Sequence, residues 1–303
     1  MKISENLNKD IESEINNICI KNKNKNNNKN ILILSGGGIK GITILGALKY
    51  LEDNNIIDNI DIYAGTSIGA LINILLIIGY KSSEIYKFSE IFDMTNMIDI
   101  NINNILSKYS INNDDNFILV CNKLLESKNI NPKINLLDFY KKTKKKLICV
   151  TACLTTKKAE YISYDNYPDL ELNTLIRMTT AVPILFSPII YKNKVYIDGG
   201  LIDNFPINLF EDNLTNVIGI NLKSEYFKNT EINNIIDYFV SILQILSNRI
   251  TNKYDFEKYK NIIYTIDISI SNPFNFTLTK EIKKELFYKG YNFMKDNFIH
   301  HPN

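Results

Sequence analysis

A chain of 303 residues that is 45% hydrophobic is long enough to bury one large core, or two smaller ones if its C-terminal part packs separately. Its 35 lysines and arginines against 33 acids leave a net charge of +2, which excludes the global basic bias of a nucleic-acid binder. Cys19, Cys121, Cys149 and Cys153 have no framework spacing and are expected as thiols in a reducing compartment; no zinc site is expected, because nearby His and Cys ligands are missing.

Met1 to Asp10 are polar and mixed in charge, without a basic segment leading into an apolar stretch. The expectation is an intracellular protein, cytoplasmic or peripheral on membranes. Residues 1–30 end in an Asn/Lys tract from Lys21 with nothing to bury, and read as a disordered lead-in. Ile31 to Ser35 is a continuous apolar run bounded by glycines, the pattern of a strand covered on both faces. A helix is expected from Gly41 to Asp53 and a second strand from Ile60 to Ala64. Gly65 to Gly69 then form a turn into an apolar helix ending near Gly79. The longest apolar run, Ile68 to Ile78 with Asn73 inside it, is shorter than the ~20 residues needed to cross a bilayer.

Residues 80–145 read as mostly helical with Asn-rich breaks, an insertion or cap. Strands are expected at Leu147 to Leu154, Ala159 to Ser163, Lys194 to Ile197, Val217 to Leu222 and Ile262 to Ile268. Helices are expected at Leu170 to Thr180 and Lys280 to Phe298, with apolar residues at helical spacing from Ile232 to Ile250. Strands alternating with helices favour an α/β fold with a mostly parallel sheet and helices on both faces. The boundaries expected are a catalytic domain over 31–222, containing the 80–145 insertion, and a mostly helical part over 223–303 packed on the same domain.

Gly65-Thr66-Ser67-Ile68-Gly69 lies between an expected strand and an expected helix. A serine at such a turn has strained backbone angles, flanking glycines relieve crowding, and the helix N-terminus favours developing negative charge. Ser67 is therefore a candidate nucleophile, although a serine N-cap has the same local pattern. Gly36-Gly37-Gly38-Ile39-Lys40-Gly41 follows the first strand, and its backbone N–H groups suit an oxyanion or a phosphate. The same glycine spacing fits a dinucleotide-binding turn, with Asp61 at about the separation a ribose acid needs. Asp61, however, sits at the start of its strand, on the wrong edge of the sheet. Asp198-Gly199-Gly200 places an acid at a strand end, a candidate base or an ordinary turn residue.

The chain has 2 histidines, His300 and His301, both at its end. A Ser-His-Asp triad needs an imidazole held between hydroxyl and carboxylate, and terminal residues are poorly held. A dyad in which Asp198 takes the proton from Ser67 is the alternative.

Together these segments resemble the patatin-like phospholipase family. The resemblance runs from Ile31 to about Ile207 and includes Ile176 to Pro188, before the aspartate, and Asp203-Asn204-Phe205-Pro206, after it. It implies a three-layer α/β/α domain with a mostly parallel central sheet and hydrolysis of fatty-acyl esters in phospholipids or related lipids. It also implies Ser67 as nucleophile, Asp198 as base and an oxyanion hole from Gly36, Gly37 and Gly38. Lys40, Gly41, Gly65, Gly69, Gly199 and Gly200 correspond to its supporting positions. No cofactor and no metal are expected, the partners being a lipid substrate and a membrane surface. An inactive lipid-binding scaffold with the same fold remains an alternative. The run Lys141 to Lys146 suits anionic headgroups or a solvated loop, and Ile232 to Ile250 suits a membrane-facing surface or packing on the sheet.

Overall fold

The computed structural model describes residues 29–92, 101, 103–223, 232, 237–239, 241–243, 245–246, 259, 261–268 and 278–298. The lead-in up to residue 28, His300 and His301 lie outside these residues, as does much of 223–303. Lys29 and Asn30 are already part of the fold: the Lys29 ammonium donates to the Val217 carbonyl at 3.1 Å and the Asn30 N–H to Asn216 O at 3.0 Å.

The strands are β1 (Ile31–Leu34), β2 (Ile62–Thr66), β3 (Lys146–Cys153), β4 (Lys158–Ile162), β5 (Ile189–Tyr191), β6 (Lys194–Asp198), β7 (Val217–Lys223) and β8 (Ile263–Asp267). The helices are α1 (Gly41–Asp53), α2 (Ile68–Ile77), α3 (Ser82–Ile91), α4 (Asn104–Lys108), α5 (Asp115–Glu126), α6 (Leu136–Thr143), α7 (Leu172–Thr180) and α8 (Lys280–Asn297). The sheet has eight strands in the order β5-β6-β3-β2-β1-β7-β8, with β4 paired to β3 outside that path. β3, β2, β1, β7 and β8 run parallel, while β4 and β6 are antiparallel to β3, and β5 to β6.

Period-two alternation accounts for the layers. Leu32, Leu34, Tyr63, Leu147 and Ile220 face the larger core, which α1, α2, α7 and α8 complete. Ile31, Ile33, Ile62, Ala64 and Ile148 face the other side, where Phe205, Ile207, Phe210 and Tyr259 cover them. That second cover comes largely from 3-10 turns over Ile207–Asn216, kinked at Phe210 and Asn213, which carry no helical period in the sequence.

α1 and α8 cross at backbone contact. A Cβ on Gly46 would lie 1.8 Å from the Phe287 carbonyl oxygen, and one on Gly290 1.9 Å from that of Thr43. The lysine run is divided between a helix end and a strand start, with Lys141, Lys142 and Lys144 exposed. Lys141 and Lys142 end α6, Lys145 pairs with Asp61 at 3.2 Å, and Lys146 opens β3 fully buried, 2.8 Å from Asp165. Of the segment 232–250, residues 237–239, 241–243 and 245–246 are helical and the rest falls almost wholly outside the described residues.

Candidate active site

Ser67 stands where β2 gives way to α2, with φ 54° and ψ −124°. An L-residue held at such angles stores about 1–3 kcal/mol of strain. The surroundings hold it there from several sides. The buried Thr66 hydroxyl donates to Asp203 O at 3.0 Å, and the buried Asn73 amide of α2 donates to Ala64 O at 2.9 Å, tying the helix back to its own strand. Gly69 allows the first turn of α2 to pass under the end of β1, since a Cβ there would meet the carbonyl oxygens of Leu34 and Ser35 at 2.5 Å. Gly65 packs in the same way on the amide of Ala70, 2.9 Å from where its Cβ would be.

The register of β3 brings Asp198 to this turn. Cys149 and Val150 pair with β2 on one side and β4 on the other, while Thr151 pairs with Glu160 of β4 and with Asp198 of β6. A strand residue has two edges, so β6 shares the β2 edge of β3. β2 ends at Thr66 opposite Val150, and β6 arrives from the other direction and ends at Asp198 opposite Thr151. The two strand ends therefore meet head to head, with Ser67 following one and Asp198 closing the other.

Asp198 is 5% exposed. Its Oδ1 accepts the Gly200 N–H at 2.7 Å, and among the described residues Oδ2 closes no hydrogen bond of normal length. Desolvation pushes the carboxyl up to about 6, opposed by hydrogen bonding from the Ser67 hydroxyl and the Gly200 N–H. The Ser67 hydroxyl is thus close enough to act on the carboxyl without closing a hydrogen bond on Oδ2. Gly199 packs against β3, its Cβ position 2.5 Å from Val150 O.

The glycine loop leaves β1 at the same sheet edge. The Gly36 N–H donates to Asn204 O at 3.2 Å and the Asn204 amide returns to Gly36 O at 3.4 Å, so Gly36 is clamped beside the serine with its own donor engaged. A Cβ on Gly36 would sit 3.3 Å from that of Ser67. Gly37 and Gly38, the latter opening the 3-10 turn Gly38–Lys40 with φ 57°, have N–H groups that make no hydrogen bond among the described residues. The three expected oxyanion glycines therefore differ: Gly36 is occupied, whereas Gly37 and Gly38 retain donors. Lys40 is buried at the start of α1, and desolvation brings its ammonium down to about 8. Gly41 packs on Ile68, so the first turns of α1 and α2 lie side by side and both present amide dipoles at this edge.

Asp61 precedes β2 at the opposite sheet edge and pairs with Lys145, so it does not complete a ribose site for the glycine loop. Among the described residues no cluster of three or more His, Cys, Asp or Glu side chains is placed to hold a metal ion. Sequence reasoning gave no role to Thr179, whose hydroxyl accepts the Ser67 N–H at 3.0 Å, or to Ala181, whose carbonyl accepts the Asp198 N–H at 3.0 Å. The available signal was their place inside the Ile176 to Pro188 segment of the resemblance.

A sequence profile described as patatin-like phospholipase matches residues 32–211, an interval that holds Ser67, Asp198 and the glycine loop. The chain is 30% identical over 236 residues to the probable lipid hydrolase 463L of Invertebrate iridescent virus 6, covering 76% of this chain and 75% of that one. It is 30% identical over 286 residues to the uncharacterized protein R571 of Acanthamoeba polyphaga mimivirus, covering 88% and 93%. Among solved structures, VipD from Legionella pneumophila shares the fold with a TM-score of 0.61 at 18% identity, over 89% of this chain and 67% of that one. With more than half its length matched by the profile and the motifs in order on one sheet edge, this chain belongs to the patatin-like phospholipase family.

Proposed function

We propose that this protein is a lipid acyl hydrolase, a phospholipase A-type esterase, working through a Ser67–Asp198 dyad. The observation that carries the proposal is the head-to-head meeting of β2 and β6 on one edge of β3, which sets a strained serine against a buried carboxyl. Ionised Asp198 takes the proton from the Ser67 hydroxyl as its oxygen attacks the ester carbonyl. The tetrahedral oxyanion lies by the N–H groups of Gly37 and Gly38 and the N-terminus of α2. Asp198 then returns the proton to the departing alcohol, which leaves an acyl group on Ser67. Water attacks that ester with Asp198 again as base, and collapse frees the fatty acid and restores the serine.

Contact with a lipid surface belongs to the same proposal. Tyr238, Ile242, Ile245 and Leu246 are 47%, 37%, 61% and 46% exposed, and their spacing puts them on one helical face. Among the described residues no helix is long and apolar enough to cross a membrane. The deciding experiment is hydrolysis of phospholipid and of a chromogenic fatty-acyl ester by wild type, Ser67→Ala and Asp198→Asn. Wild type should turn over and both variants should fall to background; turnover that survives both substitutions would refute the dyad.

A further inference from the structure

We infer, on the dyad reading above, that Thr179 is the positioning residue of the site: its hydroxyl fixes the backbone of Ser67 at the spacing from Asp198 that proton transfer requires. The Ser67 N–H lies at a strand-to-helix turn, where neither the sheet ladder nor the helix supplies an acceptor. Thr179 supplies it. The hydroxyl has a single proton, which it donates to Val150 O at 2.8 Å, so toward Ser67 it acts as acceptor, at 3.0 Å. Thr179 is fully buried at the end of α7; its bond to Val150 is buried and its bond to Ser67 partly so.

The other end of this link reaches the base. Val150 pairs with Thr66, the residue before the serine, and its neighbour Thr151 pairs with Asp198. The Val150 carbonyl that receives the Thr179 proton also packs against Gly199, the residue after Asp198. Two residues beyond Thr179, Ala181 O accepts the Asp198 N–H at 3.0 Å. The segment 179–181 thus holds the backbone N–H of both dyad members, one through a side chain and one through a carbonyl. The carbonyl depends on backbone geometry alone, whereas the side chain is replaceable, so the role can be tested at Thr179.

Thr179→Val keeps the branched shape and removes both bonds; Thr179→Ser keeps both bonds. With the full chain and a p-nitrophenyl fatty-acyl ester, Thr179→Val should lower kcat about 10- to 100-fold with KM unchanged, the size expected of a sub-ångström to ångström misplacement of a reacting group. The rate at which a fluorophosphonate ester labels Ser67 should fall in parallel. The acid limb of the kcat/KM profile should move to higher pH, because the Ser67 hydroxyl that helps keep the Asp198 carboxyl down is displaced. Thr179→Ser should retain wild-type kcat and the wild-type limb. Thr143→Val is the control, since that hydroxyl likewise donates to the carbonyl four residues back, Phe139 O, but in α6, and it should leave both measurements unchanged. Should the valine variant fail to fold, Thr179→Ala carries the same expectations. Wild-type kcat and pH limb in the valine or alanine variant, or a serine variant as impaired as valine, would overturn the inference while leaving the dyad standing. A wild type that neither hydrolyses the ester nor labels at Ser67 would remove the dyad and this role with it.

Discussion

Asp198 is buried with one oxygen on the Gly200 N–H, and desolvation lifts its carboxyl from 3.8 to about 6. Between those two values the folded protein holds a proton that the unfolded chain has released. Stability therefore falls as pH rises through that window and stays lower above it. The displacement corresponds to about 3 kcal/mol at neutral pH. Asp198→Asn removes the charge but keeps an oxygen for Gly200, so it should abolish ester hydrolysis and raise the urea midpoint at pH 7, with the gain vanishing near pH 4. An unchanged midpoint at pH 7 would contradict the raised carboxyl. On the proposed dyad, kcat/KM of the wild type should rise with pH through about 6 as Asp198 ionises. The strand-end turns that carry Ser67 and Asp198 were legible in the sequence because glycines flank both residues. The occupied donor of Gly36 was not, because its acceptor, Asn204, is 168 residues away in the chain. Thr179 was equally silent: a threonine at the end of a helix has no local pattern that distinguishes an acceptor for a distant amide.

At the scale of elements, α1 was readable because Gly41 opens its apolar period and Asp53-Asn54 closes it, and β1 because its run is apolar on both faces. β5 was missed. It has three residues, Ile190 in its middle is 75% exposed, and its hairpin turns through Lys192 and Asn193 at positive φ, where no glycine announces the bend. The crossing of α1 and α8 is likewise invisible locally, because Gly46 and Gly290 look like defects in their helices. Intrinsic propensity predicts that Gly46→Ala should stabilise by about 1 kcal/mol. The crossing predicts the opposite sign, since the new methyl would have to displace the Phe287 backbone. Overpacking of a tight contact costs about 1–3 kcal/mol, so Gly46→Ala and Gly290→Ala should each lower the thermal midpoint. A rise in either would mean that the two helices separate more easily than their contact suggests.

At the scale of the whole molecule, the parallel strands deliver the ends of β1 and β2 to one edge, and β6 returns to the same edge, so the site has a front and the molecule an orientation toward its substrate. A phospholipid sits in an aggregate, and that front must reach it. The helical stripe bears on this requirement through its inner side. Leu243 packs against the small cluster of Ile111, Val182 and Leu185, and Val182 follows Ala181, which holds the Asp198 N–H. The outer side, Tyr238, Ile242, Ile245 and Leu246, is consequently linked to the base through a few packed residues. A charge placed there should not disturb the dyad, because the side chains point to solvent. Burying such apolar side chains in an interface contributes about 1.5–3 kcal/mol each when burial is complete, and a carboxylate in their place opposes it. Ile245→Asp with Leu246→Asp should therefore weaken flotation with phosphatidylcholine vesicles about tenfold or more and slow hydrolysis of the vesicle phospholipid. Fluorophosphonate labelling of Ser67 and turnover of a soluble short-chain ester should stay at wild-type rates. Equal flotation by wild type and the double variant would place the lipid-facing surface elsewhere. Loss of the soluble-ester activity together with flotation would instead make the stripe a structural part of the site.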